Sequence, residues 1–437
     1  MRDNSRSLIA TALAHFINDG CLAVFPILYP LLVSFYGFTD SSVGIIATIL
    51  GASSIAASPF IGRRSDIRRN YVNLILTGVL TIGFGLTAFA LGMVYFGKGE
   101  SQQLLLILIP LALIAGFGAS FYHPLGAAIL NEQWSRQTRG RAMGINGSMG
   151  SFGILAYPLI AVALVSVVSV TSVGVLGILS SVSALPIYLL MRNVRFGSGK
   201  EGLPQRKTSE SAQDEMGEAT ENTVREDDSQ GKSVAKTSAR NAPIPLRLVV
   251  PPILVLTIST FLRAVFAQSI LQFMPLFLTS ERHVQYSFVG IAVAIMPAMG
   301  IISQPLFGYL ADRFGRRLLL GISTLGAAVS IILFVATSNI IVEEAFLAMF
   351  GLFQFTGFPL ILALAIEISP RGATTISNSI VWGFGNLGGA AVGPLIVGLL
   401  AENAFFGSLG SAFFIVAIIA MISVALLPFV PKPTRKD

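Results

Sequence analysis

The chain has 437 residues, 53% of them hydrophobic and only 12% charged, with a formal net charge of +7, whereas soluble domains carry about 25% charged residues. This excludes an ordinary soluble enzyme, and the positive charge does not indicate nucleic acid, because neither a basic patch on a polar fold nor a binding motif accompanies it. Apolar runs of about 20 residues or more, enough to cross a hydrocarbon layer of about 30 Å as helices, recur from end to end, so the lipid bilayer is the expected solvent and partner.

The first run, residues 7–34, is too long for a signal-peptide core and lacks a small-residue cleavage site, so it reads as the first span. It holds His15, Asn18, Asp19 and the single cysteine, Cys21; one cysteine allows neither a disulfide framework nor a cysteine metal cluster within the chain. Further spans are expected at 42–61, 71–96, 103–130, 141–165 and 171–191, which completes an N-terminal six-helix bundle over 1–194. Residues 195–245 are rich in Ser, Thr, Glu, Asp, Gln, Lys and Arg and poor in apolar groups that pack, so they are expected to be a disordered linker. A second set at 247–278, 287–307, 317–337, 341–366, 374–401 and 407–429 makes a C-terminal bundle over 246–437.

Lys and Arg accumulate in loops that stay in the cytoplasm. Arg2, Arg6, Arg63, Arg64, Arg68, Arg69, Arg136, Arg139, Arg141, Arg313, Arg316, Arg317, Arg371, Lys432, Arg435 and Lys436 fall on one side of the expected topology, against Lys98 and Arg282 on the other. Both termini of this multi-pass cell-membrane protein are therefore expected in the cytoplasm, with an even number of spans.

The two halves repeat each other. Val43, Gly44, Ile45, Ile49, Ala52, Ile55, Pro59, Gly62 and Asp66 recur at identical spacing as Val289, Gly290, Ile291, Ile295, Ala298, Ile301, Pro305, Gly308 and Asp312. Pro124 and Glu132 likewise match Pro359 and Glu367. The expected fold class is thus an all-α membrane protein of twelve transmembrane helices in two pseudo-symmetric six-helix bundles.

The run Gly308, Tyr309, Leu310, Ala311, Asp312, Arg313, Phe314, Gly315, Arg316, Arg317, in the turn between the eighth and ninth spans, resembles the signature loop of the major facilitator superfamily, and Gly62, Asp66, Arg68 and Arg69 keep a weaker copy. Ala14 to Asp19 and Tyr29 to Leu32 in the first span, Phe121 to Pro124 in the fourth, Glu367 to Gly372 and a glycine-rich eleventh span are together similar to the fosmidomycin-resistance type of exporter. Efflux, drug resistance and antiport are what this resemblance implies. The chain departs from many proton-coupled antiporters of the superfamily by having no arginine in the fourth span and Tyr157 before Pro158 in the fifth. Gly389, Gly393, Pro394 and Gly398, and Gly144, Gly147, Gly150 and Gly153, read as close helix packing.

A carboxylate at the end of a helix interacts with exposed amides of a neighbour, and arginines pair with acids on the same rim. Gly62, Asp66, Arg69, Glu132, Gly308, Asp312, Arg313, Gly315, Arg316 and Glu367 are thus the expected cytoplasmic gate, a latch that the resemblance implies is broken on inward opening. Inside the membrane an ionisable side chain costs about 2.5–3.5 kcal/mol and marks function by default. His15 and Asp19, four residues apart, share a helix face with Asn18 beside them. Aligning Pro30 with Pro275 sets Arg263 opposite Asn18 in the repeat, and since the superfamily packs its first and seventh spans across one cavity, Asp19 and Arg263 are expected to face each other, as a salt bridge or as two poles of a substrate site. Gln268 and Gln272 extend that lining, and Asp19, His15 and His123 are the expected carriers of a coupling proton.

The expected function is a secondary active transporter moving a small organic solute by alternating access, exporting it in exchange for protons, with no covalent chemistry, cofactor or metal. Two alternatives stay open: a proton-coupled importer of an organic anion with Arg263 as counter-charge, and a transport-inactive membrane receptor or scaffold.

Overall fold

A computed structural model of the chain describes residues 3–95, 101–135, 138–196, 246–370, 374–404 and 406–431. The expected linker, beyond its first two residues, lies outside the described residues, as do Arg2, Lys98, Arg136, Arg371, Lys432, Arg435, Lys436 and the side chain of Asp66.

Twelve helices among the described residues are long and apolar enough to cross a membrane. They are Asp3–Tyr36, Asp40–Ser65, Tyr71–Tyr95, Gln102–Gln133, Arg141–Val167 and Val170–Met191, then Val249–Ser280, Tyr286–Phe314, Arg316–Ala336, Ile340–Ile368, Ile376–Glu402 and Leu409–Phe429. Side-chain caps mark several starts on the face opposite the termini. The Thr39 hydroxyl accepts from the Ser42 amide, the Asn339 carboxamide from Ile341 and Val342, and the Ser408 hydroxyl from Ser411, each satisfying an amide that the first helical turn leaves without a partner. Exposed Phe84, Leu106, Ile178, Ile322 and Ile418 stud the outside, as expected of faces that meet lipid tails.

The repeat extends to a defect that spacing alone did not anticipate. The fourth span is two helices, Ser101–Ala119 and Tyr122–Gln133, and the tenth is likewise Ile340–Gln354 and Gly357–Ile368. Each break lies just before Pro124 or Pro359, since proline has no N–H to give the fourth preceding carbonyl and its ring clashes with it. For Pro124 that carbonyl belongs to Ser120, and it accepts instead from the Ser58 hydroxyl of the second span at 3.2 Å. The eleventh span contains a π-helical turn at Val381–Leu387.

Small residues bring backbones together. A side chain at Gly85 would strike Ala115, one at Gly118 the Ile82 backbone, and one at Gly153 the Phe16 carbonyl, so the third span packs on the fourth and the first on the fifth without intervening side chains. Of the eleventh-span residues read as packing, Gly389 and Gly393 meet the backbone of the seventh span. Gly398 and Pro394 meet the second span, in the other half.

The halves touch at the end away from the termini. A Cβ at Gly44 would lie 2.8 Å from the Pro394 carbonyl, one at Gly398 would lie 2.5 Å from the Asp40 carbonyl, and one at Gly290 would lie 3.1 Å from Val162. The Ser41 amide donates to Glu402 at 2.7 Å and the Tyr286 hydroxyl to the Ile27 carbonyl at 2.9 Å. At the other end, among the described residues, Gly144, Gly147, Gly308 and Gly383 have no heavy atom beyond their own helix within 4 Å of where a Cβ would stand. The packing expected at Gly144 and Gly147 is therefore not made, while Gly150 and Gly153 do pack. The molecule is closed on one face and open on the face that bears both ends of the chain.

Candidate transport site

The first span is mostly buried, and its polar group faces the fourth and fifth spans. Asp19 Oδ2 lies 3.1 Å from His15 Nε2, one helical turn before it, and Asp19 Oδ1 accepts from Asn18 Nδ2 at 2.9 Å and lies 3.6 Å from His123 Nε2. One donor atom from each of His15, Asp19 and His123 falls within 4.8 Å of the other two. The side chains of His15 and Asp19 are 13% and 15% exposed, whereas His123 is 61% exposed and connects the group to the open face. His123 arrives there because Pro124 breaks the fourth span beside it.

Two residues not anticipated from the sequence complete the group. Asn146, in the fifth span, offers its main-chain carbonyl to His15 Nδ1 at 2.8 Å, and its side-chain oxygen accepts from the Tyr122 hydroxyl at 2.8 Å. The Tyr122 ring stacks on the His15 imidazole with centroids 4.4 Å apart. A carboxamide inside an otherwise apolar run is itself a signal in the sequence, but its partner is visible only once the first and fifth spans are packed.

Arg263 does not face Asp19. The guanidinium is 4% exposed and donates from Nε to the Thr324 hydroxyl at 3.2 Å and from Nη2 to the Gln354 carbonyl at 2.7 Å and side-chain oxygen at 3.3 Å. It lies against Gly357, at the break in the tenth span, where a Cβ would overlap it. No carboxylate among the described residues lies within 4.0 Å of it. The repeat correctly paired the helices, but residue 263 is rotated toward the ninth and tenth spans of its own half. Because each charge has its own partners, adding Arg263→Gln to Asp19→Asn is expected to restore no flux in liposomes; recovery in the double variant would show that the two charges do pair during the cycle. Gln272 accepts weakly from the Tyr29 hydroxyl at 3.4 Å, tying the seventh span to the first, while Gln268 is half-buried beside it.

The expected pairing of rim arginines with Glu132 and Glu367 is present, but it does not join the two halves. Arg69 pairs with Glu132 at 2.9 Å and Arg316 with Glu367 at 2.5 Å, each within one half, and both pairs are formed with this face open. Asp312 is exposed, 3.6 Å from Arg316 on the following turn, and Arg313 lies over the Phe314 ring. Gly62 is in ordinary contact with Pro124, and Gly308 faces open space. Gly315 turns the chain with φ +92°, and Arg69, at the equivalent place in the first half, adopts φ 49°. Such half-exposed pairs are worth about 0.2–1 kcal/mol, so Glu132→Gln is expected to lower the Tm by no more than a few degrees in a thermal melt.

The sequence matches the family model of the Major Facilitator Superfamily over residues 11–248 and 256–437. It is 26% identical over 394 residues to the uncharacterized MFS-type transporter YfnC of Bacillus subtilis, covering 89% of this chain and 86% of that one. A shorter match, 34% identical over 160 residues, joins 34% of this chain to 36% of the multidrug resistance protein MdtG of Yersinia enterocolitica. Among solved structures, a D-xylose-proton symporter superposes with a TM-score of 0.76 at 13% identity over 98% of both chains, which bears on the fold alone. With twelve spanning helices, a duplicated architecture and a family match over both halves, this chain belongs to the Major Facilitator Superfamily of membrane transporters.

Proposed function

We propose that the protein exports a small organic solute from the cytoplasm by alternating access in exchange for protons, with both termini cytoplasmic. The observation that carries this reading is the His15–Asp19–His123 group: three titratable side chains within reach of one another, two largely buried between helices and one exposed. A carboxylate and imidazoles so placed exchange a proton near neutral pH. The similarity of a third of the chain to MdtG, named as a multidrug resistance protein, and the resemblance of the first-span and fourth-span motifs to fosmidomycin-resistance exporters favour efflux. In this reading residues 1–194 and 246–437 are the two rocking bundles, residues 195–245 tether them, and Asp66 and Asp312 engage the opposite rim only when the terminal face closes.

The test uses inside-out vesicles whose lumen has been acidified and contains a pH-sensitive dye. Solutes that thermally stabilise the purified protein are added from a chemically diverse panel; an antiporter lets the solute in and protons out, so the gradient collapses. A gradient that survives every bound solute contradicts antiport. The second reading, proton-coupled import of an organic anion, draws on Arg263, buried with no carboxylate within 4.0 Å among the described residues. Uptake of such an anion into right-side-out vesicles, driven by an acidic exterior, would select it.

A further inference from the structure

The proton proposed to be carried at this site can be counted from its hydrogen bonds. A main-chain carbonyl has no proton to give, so the 2.8 Å contact between His15 Nδ1 and the Asn146 carbonyl requires a proton on Nδ1. The Asn146 amide nitrogen, the other neighbour of Nδ1, is 3.4 Å away, beyond the usual range of such bonds. Its oxygen is in turn held by the Tyr122 hydroxyl. With Nδ1 protonated, a neutral His15 would aim the lone pair of Nε2 at Asp19 Oδ2, 3.1 Å away. Two acceptors at that separation repel unless a proton lies between them.

We infer that the fifth span is part of the coupling site: Asn146 and Gly150 form a seat that fixes the tautomer of His15, so that His15 Nε2 and Asp19 together hold one exchangeable proton when the terminal face is open. This rests on the proton-coupled reading and adds to it where the proton resides and what positions it. Gly150 is the floor of the seat, since a Cβ there would lie 2.6 Å from both Cδ2 and Cε1 of the His15 ring. Tyr122 stacks on the ring, and His123, edge-on to it at 5.5 Å, is the exposed group through which the proton leaves. The titratable groups that face His15 are thus Asp19 on its own helix and Tyr122 and His123 on the fourth span, while the fifth span presents the neutral Asn146. On release, the Nε2–H or carboxyl O–H bond breaks, and the proton passes to solvent in the cavity directly or through His123. The pair, neutral imidazole and carboxylate, is left with one negative charge, and it becomes neutral again on binding the next proton.

Gly150→Ala adds one methyl group and no charge, so any effect on proton coupling must act through the position of His15. Gly147→Ala, one turn earlier and facing open space, is the control. Proton-driven flux is expected to fall about tenfold or more in Gly150→Ala, as small misplacements of reacting groups do. Its pH profile should shift, because the ring that shares a proton with Asp19 is pushed off the carbonyl that positions it. Tyr122→Phe, which frees the Asn146 side chain, should shift the profile by less, and Gly147→Ala not at all. The chain has three histidines, so 15N-histidine spectra of the protein in nanodiscs, assigned with His123→Asn and His283→Asn, should show His15 Nδ1 protonated at every pH at which the protein is folded. An Nδ1 that is bare in those spectra overturns the inference, and so does an unchanged pH profile in a folded Gly150→Ala protein. Should Gly150→Ala fail to fold, the spectra of the unaltered protein still decide. Loss of coupling in Asp19→Asn together with either of those results would refute the seat while leaving proton coupling in place.

Discussion

Asp19→Asn is expected to abolish proton-driven flux while leaving solute exchange intact. Asparagine has the size of aspartate, and its side-chain oxygen can still accept from Asn18, whose Nδ2 is 2.9 Å from Oδ1. Its amide group would face His15 Nε2 and donate to it permanently, a bond that in the unaltered protein needs the exchangeable proton. Every hydrogen bond of the site is therefore kept, so the protein should insert and melt within a few degrees of the parent. What disappears is the ability to bind and release a proton near neutral pH. Counterflow, in which labelled solute on one side exchanges for unlabelled solute on the other without net proton movement, should persist at close to the parental rate. Liposomes with an imposed pH gradient should show no accumulation above protein-free vesicles. Retention of full coupling would move the role to another group, with His123 the next to test.

Gly398→Ala should displace the conformational equilibrium toward closure of the terminal face. The added methyl would stand 2.5 Å from the Asp40 carbonyl oxygen and 3.0 Å from Ser41 Cα, both main-chain atoms of the other half that cannot rotate away. Overpacking of this kind costs about 1–3 kcal/mol, and the cost falls on the state in which the second and eleventh spans touch at that end. A bias of that size shifts the ratio of two states by about 5–150-fold. Gly44, which meets the Pro394 carbonyl from the other side of the same contact, should behave alike. The measurement is a spin-label distance between cysteines introduced at Arg64 and Arg313, exposed ends of the second and eighth spans on the terminal face. Cys21, the one native cysteine, is buried and can be replaced beforehand. The long distance of the open state should lose population in Gly398→Ala; an unchanged distribution would mean that the contact yields without cost.

The spans, their number and the duplication were legible in the sequence because each rests on local physics. A helix must bury its own backbone groups in lipid, so its length and apolar composition announce it, and a repeated Gly62–Asp66 and Gly308–Asp312 spacing announces the repeat. His15 and Asp19 were legible as a pair for the same reason, since four residues is one turn. The breaks before Pro124 and Pro359 were not placed, although both prolines were noticed, because whether a proline kinks a span or divides it depends on what receives the freed carbonyl, here Ser58.

By itself, then, the sequence determined a twelve-span transporter with a rare cluster of charge in its first helix. Tertiary structure alone decided which charges meet. Repeat alignment places Arg263 at the height of Asn18 but says nothing of rotation about the helix axis, and a turn of the seventh span toward the ninth and tenth gives Arg263 to Thr324 and Gln354 and leaves Asp19 to two histidines. The same holds for the pairs Arg69–Glu132 and Arg316–Glu367, whose residue types are evident in sequence but whose confinement to one half is not. Composition and period act along a single helix; partner choice is set by how the helices are rotated against one another, and that is fixed by contacts between residues as far apart in sequence as His15 and Asn146.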